Sequence, residues 1–258
     1  MSGPSDVIAL VLAAGQGTRM KSDLAKVLHP MNGRPLLAWV LDALEDVSPA
    51  REVVVIGHQR ERVKQEFAKA KVEWAVQDRQ CGTGHAVQMA EPALAGFKGT
   101  LLVVCGDTPL LRGATLNDLV AHHQNTRAAV TVLSMRLPDP SGYGRIVRDA
   151  EDGIAAIVEE RDATPAQRTI DEVNSGIYAF DYPALARVLS QLSSHNAQGE
   201  YYLTDTVALL RDRGLRTSVI CGNDYRELLG VNTPEQLAEA GRIQAARASG
   251  GGTPADRA

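Results

Sequence analysis

The segment Val7-Ile-Ala-Leu-Val-Leu-Ala-Ala-Gly-Gln-Gly-Thr-Arg-Met20 joins an apolar run to a loop that contains two glycines and a cation. The apolar run is typical of a buried strand, and the glycines allow backbone N–H groups to approach a ligand closely. Arg19 and, a little further on, Lys26 place positive charge beside this loop. The pattern indicates an anion site, although a tight turn with solvated cations is the simpler alternative.

Short β-branched runs alternate with helical patterns in the first half of the chain. The sequence predicts strands at 7–12, 52–56, 72–76, 100–105 and 129–135, and helices at 36–44, 59–69, 84–95 and 113–125. Alternation at this spacing predicts an α/β fold with a mostly parallel sheet and helices on both faces. Ligands bind such sheets at the carboxyl ends of the strands, which is where the glycine loop leaves the first strand.

The second half has a different rhythm. Residues 138–144 are rich in turn formers, and strands are predicted at 145–148, 154–158 and 173–180 without long helices between them. This pattern predicts a mixed, partly antiparallel extension that forms one wall of the site. A closing helix is predicted at 233–248, where Thr233 and Pro234 give the start signal, and residues 249–258 are predicted to be a disordered tail.

Composition narrows the class of protein. The chain has 258 residues and a net charge of −4, with no lysine- or arginine-rich run, which argues against a general nucleic-acid or membrane-surface binder. Cys81, Cys105 and Cys221 are far apart and form no CxxC pair, which suits a reducing compartment. The sequence has no apolar stretch of the ~18 residues needed to cross a bilayer and no signal-like N-terminus, so we expect a cytoplasmic protein.

The glycine loop matches neither common phosphate-binding fingerprint. A Walker A loop requires GxxxxGK[ST], and the dinucleotide fingerprint requires a third glycine where this chain has Met20. The mismatch argues against a P-loop NTPase and against a dinucleotide-dependent oxidoreductase.

An acidic residue follows a second predicted strand. Asp107 comes directly after the 100–105 run and lies between Gly106 and Pro109. A turn cap is a frequent role for Asp, but a carboxylate at the mouth of a parallel sheet, opposite a phosphate loop, is better interpreted as a Mg²⁺ ligand, because Mg²⁺ is usually held by one or two carboxylates and substrate phosphates. The loop and the acid together predict phosphoryl or nucleotidyl transfer.

Taken in order, the motifs of residues 6–245 resemble the uridylyltransferase (pyrophosphorylase) domain of the bacterial bifunctional N-acetylglucosamine-1-phosphate uridyltransferase/glucosamine-1-phosphate acetyltransferase family. The motifs are Leu12-Ala-Ala-Gly-Gln-Gly-Thr-Arg19, Lys26-Val-Leu-His29, Gln77-Asp-Arg-Gln-Cys-Gly-Thr-Gly-His-Ala86, Gly106-Asp-Thr-Pro-Leu110, Gly142-Tyr-Gly-Arg-Ile146, Ile157-Val-Glu159, Glu172-Val-Asn-Ser-Gly176, Asn196-Ala-Gln-Gly-Glu-Tyr-Tyr-Leu-Thr-Asp205 and Gly230-Val-Asn232.

The resemblance implies a Rossmann-like (GT-A-like) three-layer α/β/α nucleotidyltransferase domain over 5–232, followed by the 233–248 helix and the tail. It also implies site residues. The catalytic residues would be Arg19, Lys26 and Asp107, and Asp107 and Asn232 would hold Mg²⁺. The nucleotide would contact Leu12, Ala13, Gly15, Gly17, Arg19, Lys26, Gln77, Gln80, Gly82 and Thr83. The sugar phosphate would contact Gly144, Glu159, Asn174, Tyr202 and Thr204, with Glu200 nearby. The simpler alternatives are a surface role for Gln77 and a helix-start role for Asn232.

The implied reaction transfers UMP from UTP to N-acetylglucosamine 1-phosphate, giving UDP-N-acetylglucosamine and pyrophosphate for cell-envelope precursors. Its partners would be small molecules and not nucleic acid or membrane.

The chain has no hexapeptide repeats of a β-helix, so we expect neither the acetyltransferase activity nor the trimer, but a monomer or weak dimer. Cys105 departs from the family, which often has a larger residue there. The alternatives are a related nucleotidyltransferase with another NTP or sugar, and a non-catalytic sugar-nucleotide binder.

Overall fold

The computed structural model describes residues 6–151 and 153–249. Its strands are β1 (Val7–Ala13), β2 (Pro30–Met31), β3 (Arg34–Pro35), β4 (Arg51–Ile56), β5 (Glu73–Val76), β6 (Thr100–Cys105), β7 (Val130–Arg136), β8 (Arg145–Arg148), β9 (Ile154–Val158), β10 (Glu172–Asp181) and β11 (Thr217–Cys221). Its helices are α1 (Leu36–Glu45), α2 (Arg60–Glu66), α3 (Thr83–Ala90), α4 (Gly113–Thr126), α5 (Pro165–Arg168), α6 (Tyr182–Leu189), α7 (Asp205–Arg211) and α8 (Pro234–Ala248).

The main sheet has nine strands, seven of which follow the order β11-β7-β10-β6-β1-β4-β5. β1 pairs in parallel with both β4 and β6, and β4 continues in parallel to β5. β10 enters the sheet antiparallel between β6 and β7, and the β8–β9 hairpin attaches to β10. The predicted mixed, mostly parallel sheet with an antiparallel extension is confirmed.

Helices cover both faces of the sheet, which confirms the three-layer α/β/α arrangement. Alternate residues of β1 point into different cores: Ile8 and Leu10 pack with residues of α3, α6 and α7, whereas Val7, Ala9 and Val11 pack with residues of α1 and α4. A strand covered on both faces has no solvent side. This explains why the first strand is a continuous apolar run and does not alternate apolar with polar residues.

The second half differs from the sequence prediction in four elements. Strand β11 and the short helices α5, α6 and α7 were not predicted. β11 lies at the sheet edge with only partly buried residues, so it lacks the apolar run that marked the other strands. In the first half, the predicted 84–95 helix ends as α3 at Ala90 and continues as a 3-10 helix, Glu91–Leu94, because Pro92 has no backbone N–H to donate.

The C-terminal helix α8 begins at Pro234, behind a capping box formed by Thr233 and Gln236. Of the predicted disordered tail, residues 250–258 lie outside the described residues. Within residues 6–151 and 153–249, no helix combines the length and the apolar character needed to cross a membrane.

Residue His123 of α4 gives the fold a testable pH dependence. Its side chain is 4% exposed, and Nδ1 lies 3.1 Å from Thr131 Oγ1 on β7. Burial lowers the pKa of His123 from 6.5 to about 4. Between these two pH values the unfolded chain binds a proton that the folded chain excludes, so stability falls as the pH falls.

We predict that His123→Gln removes this part of the acid sensitivity. At pH 5 His123 is protonated in the unfolded chain but not in the folded chain. The wild type therefore loses on the order of 2 kcal/mol of unfolding free energy between pH 7 and pH 5. Urea unfolding at several pH values measures this difference, and His195→Gln, at an exposed position, is the control. Identical pH slopes in the wild type and in His123→Gln would contradict the assignment.

Candidate active site

A cavity of about 300 Å³ opens at the carboxyl ends of β1 and β6. The glycine loop forms one side of it, residues 77–86 form another, and Asp107 lies at its mouth. The residues around it are Leu12, Ala13, Ala14, Gly15, Lys26, Val27, Gln77, Gln80, Gly82, Thr83, Ala86, Cys105, Asp107 and Glu200. Of the residues expected to contact the nucleotide, the cavity lining lacks only Gly17 and Arg19.

Two cations and two oxygen ligands meet at this mouth. The Lys26 ammonium contacts the Asp107 carboxylate and lies 2.6 Å from Asn232 Oδ1. Arg19 Nη2 donates to the same Asn232 oxygen at 2.8 Å. The Lys26 and Asp107 side chains are only 13% and 20% exposed. The structure therefore brings together the predicted catalytic and metal-binding residues from three distant parts of the chain.

Gly17 packs closely against Lys26 and is not among the residues that line the cavity. Its φ is +68°, and a Cβ placed on it would lie 2.7 Å from Lys26 Cβ. Any other residue would push the Lys26 backbone and side chain away. Gly17 therefore allows Lys26 to lie close to the glycine loop, and its predicted contact with the nucleotide stays a prediction.

The segment before α8 holds Asn232 at the mouth. The Val231 N–H donates to the Asp107 carbonyl at 2.8 Å, which ties the two segments together. Asn232 Nδ2 donates to Gly230 O at 3.0 Å and thereby turns Oδ1 towards the cations. Asn232 also precedes the α8 capping box, so the helix-start alternative describes its backbone and not its side chain.

The chemistry of these ligands fits a divalent cation. The oxygens of Asp107 and Asn232 both contact the Lys26 ammonium, and the Asn232 oxygen also accepts from Arg19. Among the described residues there is no group of three or more His, Cys, Asp or Glu side chains that could hold a metal alone. A metal held by Asp107 and Asn232 would take its other ligands from phosphates and water, which is the usual arrangement for Mg²⁺.

Gln77 is a buried residue of the cavity wall. It is 3% exposed, its Nε2 donates to Gly82 O at 3.0 Å, and the same atom lies 3.0 Å from His85 Nδ1. The surface-glutamine alternative is therefore wrong. Sequence reasoning missed Gly57, where a Cβ would lie 2.6 Å from Gln80 Nε2 and 2.8 Å from Gln77 O. Its position directly after a parallel strand, at the same sheet edge as the glycine loop, was the available signal.

The Gly82-Thr83-Gly84 turn is joined to the segment 200–204. Gly82 has φ +104°, and a Cβ there would lie 2.5 Å from Tyr201 O. Thr83 Oγ1 accepts the Leu203 N–H at 3.1 Å, and the Tyr201 N–H donates to Cys81 O at 2.8 Å. The nucleotide side of the cavity and the segment with the predicted sugar-binding residues are one connected unit.

Four of the residues predicted to contact the sugar phosphate adjoin one another. Gly144 O accepts the Asn174 N–H at 2.8 Å, and a Cβ on Gly144 would lie 3.4 Å from both Glu159 oxygens. Glu159 Oε1 accepts from Thr204 Oγ1 at 3.1 Å, and burial raises the pKa of Glu159 against the opposing effect of this hydrogen bond.

The other two residues of that set are placed differently. The Tyr202 hydroxyl belongs to a neighbouring group, 3.3 Å from Asp162 Oδ2 and 3.0 Å from Gln198 Nε2. Glu200 lines the nucleotide cavity. The predicted roles of all these residues in binding a sugar phosphate stay predictions.

Comparison with known proteins identifies the family of the chain. Residues 9–172 match the MobA-like NTP transferase domain family. The chain is 52% identical over 253 residues to the bifunctional protein GlmU of Thermobifida fusca. This alignment covers 96% of this chain and 52% of the relative. It is 49% identical to the bifunctional protein GlmU of Pelobacter propionicus (92% of this chain, 52% of the relative) and to that of Corynebacterium diphtheriae (94% and 51%). The chain spans about half the length of these curated relatives.

We predict that Gly17→Ala destabilises the protein whereas Gly15→Ala does not. A Cβ at position 17 combines a left-handed backbone with a close approach to Lys26, which costs about 1–3 kcal/mol, and a Cβ at position 15 meets no atom within 4 Å. Chemical denaturation of both variants measures the difference. Equal unfolding free energies for the two would contradict the proposed close packing of Gly17 on Lys26.

Proposed function

Because the chain belongs to the family of MobA-like NTP transferase domains, we propose that it transfers UMP from UTP to N-acetylglucosamine 1-phosphate. The products would be UDP-N-acetylglucosamine and pyrophosphate, and the reaction would require Mg²⁺. The choice of uridine and of the N-acetylated sugar follows from the resemblance of the ordered motifs. The same proposal includes a cytoplasmic monomer or weak dimer with small-molecule partners, and the three free cysteines suit that compartment.

The observation that carries the proposal is the meeting of Arg19, Lys26, Asp107 and Asn232 at the mouth of the cavity. A non-catalytic binder needs cations for a phosphate ligand, but it does not need a carboxylate in the same place. A site that brings two polyanions together needs both positive charge and ligands for a divalent cation. This combination favours transfer over simple binding.

The chain's own residues explain how the reaction could proceed without a general base. A sugar 1-phosphate is already an anionic nucleophile, so the main barrier is repulsion between two phosphate groups. Lys26 and Arg19 would reduce that repulsion and orient the α-phosphate for in-line attack, so that positioning and electrostatic stabilisation provide the catalysis. Mg²⁺, held by Asp107 and Asn232, would supply further neutralisation of the phosphate oxygens.

A pyrophosphate-release assay tests this function. The purified protein is mixed with Mg²⁺, UTP and N-acetylglucosamine 1-phosphate, and parallel samples contain the other nucleoside triphosphates, glucose 1-phosphate or EDTA. We expect rapid release with the first pair only, and none with EDTA. Release with a different pair would overturn the proposed specificity, and the absence of release in every sample from a folded, UTP-binding protein would favour a non-catalytic binder.

We predict that Asp107→Ala lowers turnover on the order of 10²-fold or more, as for loss of a transition-state contact. The variant loses a metal ligand and the partner that holds Lys26. Asp118→Ala, on the exposed face of α4, removes a carboxylate without touching the site and serves as the control. Wild-type turnover in a folded Asp107→Ala protein would rule out this role for Asp107.

A further inference from the structure

Strand β10 contains an irregularity beside the proposed site. Its register with β7 shifts between Asn174 and Ile177, and Gly176 adopts a left-handed φ of +81°. The pairing of β10 with β6 begins only at Tyr178, opposite Val103. The bulge thus separates the end of β6, which reaches the nucleotide cavity, from the part of β10 that contains Asn174.

The Gly176 peptide is held from both sides. The Cys105 thiol donates to Gly176 O, with 3.5 Å between sulfur and oxygen. The Gly176 N–H donates to Asn174 Oδ1 at 3.0 Å. A Cβ on Gly176 would lie 2.9 Å from the Cys105 sulfur. Cys105 therefore packs against the bulge.

The other end of the Asn174 amide is held by a tyrosine. Asn174 Nδ2 donates to the Tyr178 hydroxyl at 2.6 Å. Tyr178 is 2% exposed, and its ring stacks on Phe180 with 5.4 Å between the ring centroids. Because the amide oxygen faces one partner and the nitrogen another, the amide has a single orientation. Each amide atom retains capacity for one further hydrogen bond.

We propose that Tyr178 is a positioning residue for the sugar-phosphate subsite, because its hydroxyl fixes the amide of Asn174 beside Gly144 and Glu159. The inference rests on the proposed function, since it assigns the remaining hydrogen-bonding capacity of Asn174 to a sugar 1-phosphate. The backbone N–H of Asn174 donates to Gly144 O at 2.8 Å, and a Cβ on Gly144 would lie 3.4 Å from the Glu159 carboxylate oxygens, so Gly144 lies next to both residues. Tyr178 itself would not contact the substrate.

The protonation state of Tyr178 gives this role a second signature. Burial, followed by the negative charge of Glu159, raises the pKa of Tyr178 well above its usual value. The hydroxyl therefore stays neutral at ordinary assay pH. The effect of removing it should be the same throughout the range from about pH 6.5 to 9, which lies below the ordinary tyrosine pKa.

The test is Tyr178→Phe, which keeps the ring and removes only the hydroxyl. The matched control is Tyr182→Phe, because Tyr182 is also a buried tyrosine, 6% exposed, but is the first residue of α6 and donates its N–H to Gly99 O. Initial rates with UTP and N-acetylglucosamine 1-phosphate are measured for both variants and the wild type. If the wild type prefers another sugar 1-phosphate, that substrate is used instead.

We expect Tyr178→Phe to raise KM for the sugar 1-phosphate by about 5- to 10-fold, the effect of one lost hydrogen bond. We expect KM for UTP to be unchanged and the ratio between the variant and the wild type to be constant with pH. Tyr182→Phe should behave as the wild type. An unchanged sugar KM in an active Tyr178→Phe protein, or equal rises of both KM values, would overturn the inference alone. A wild type without activity on any sugar 1-phosphate would overturn the proposed function and the inference with it.

Discussion

The site depends on a lysine held between a carboxylate and an amide oxygen. Lys26, Asp107 and Asn232 come from a short 3-10 helix, the end of a central strand and the segment before the last helix. The charges of Lys26 and Asp107 are largely removed from water, and such charges are costly unless they are paired and hydrogen-bonded. The meeting of the three chain segments pairs these charges, and the same arrangement would place positive charge beside a phosphate substrate.

The elements around this interaction restrict where it can form. Gly17 allows Lys26 to pass close to the glycine loop, and the Val231–Asp107 backbone bond joins the strand end to the start of α8. Helix α8 is held in turn at its far end, where Arg247 Nη1 donates to Leu110 O at 2.8 Å, three residues beyond Asp107. Helix α8 lies outside the sheet, and its contact with Leu110 helps to keep Asn232 close to Asp107.

Local patterns in the sequence predicted much of this and failed for identifiable reasons. The buried run 7–12, the position of Asp107 at a strand end and the closing helix could all be predicted, because periodicity and capping are local signals. Edge strand β11 could not, because its residues are only half-buried. The contact of Gly17 with Lys26 and the role of Thr83 in holding Leu203 depend on close approaches between distant segments. Tyr178 could not be found from sequence either, because the bulge that brings its hydroxyl to Asn174 appears only in the strand register.

We propose that the oxygens of Asp107 and Asn232, which both lie against the Lys26 ammonium, can hold a divalent cation. A titration with Mn²⁺, followed by electron paramagnetic resonance in the absence of nucleotide, tests it on the wild type, Lys26→Met and Lys26→Met/Asp107→Ala. We expect that removing the competing ammonium tightens Mn²⁺ binding on the order of tenfold or more, and that the second substitution abolishes the gain. Equal Mn²⁺ affinity in all three proteins would contradict the claim that these oxygens form a cation site.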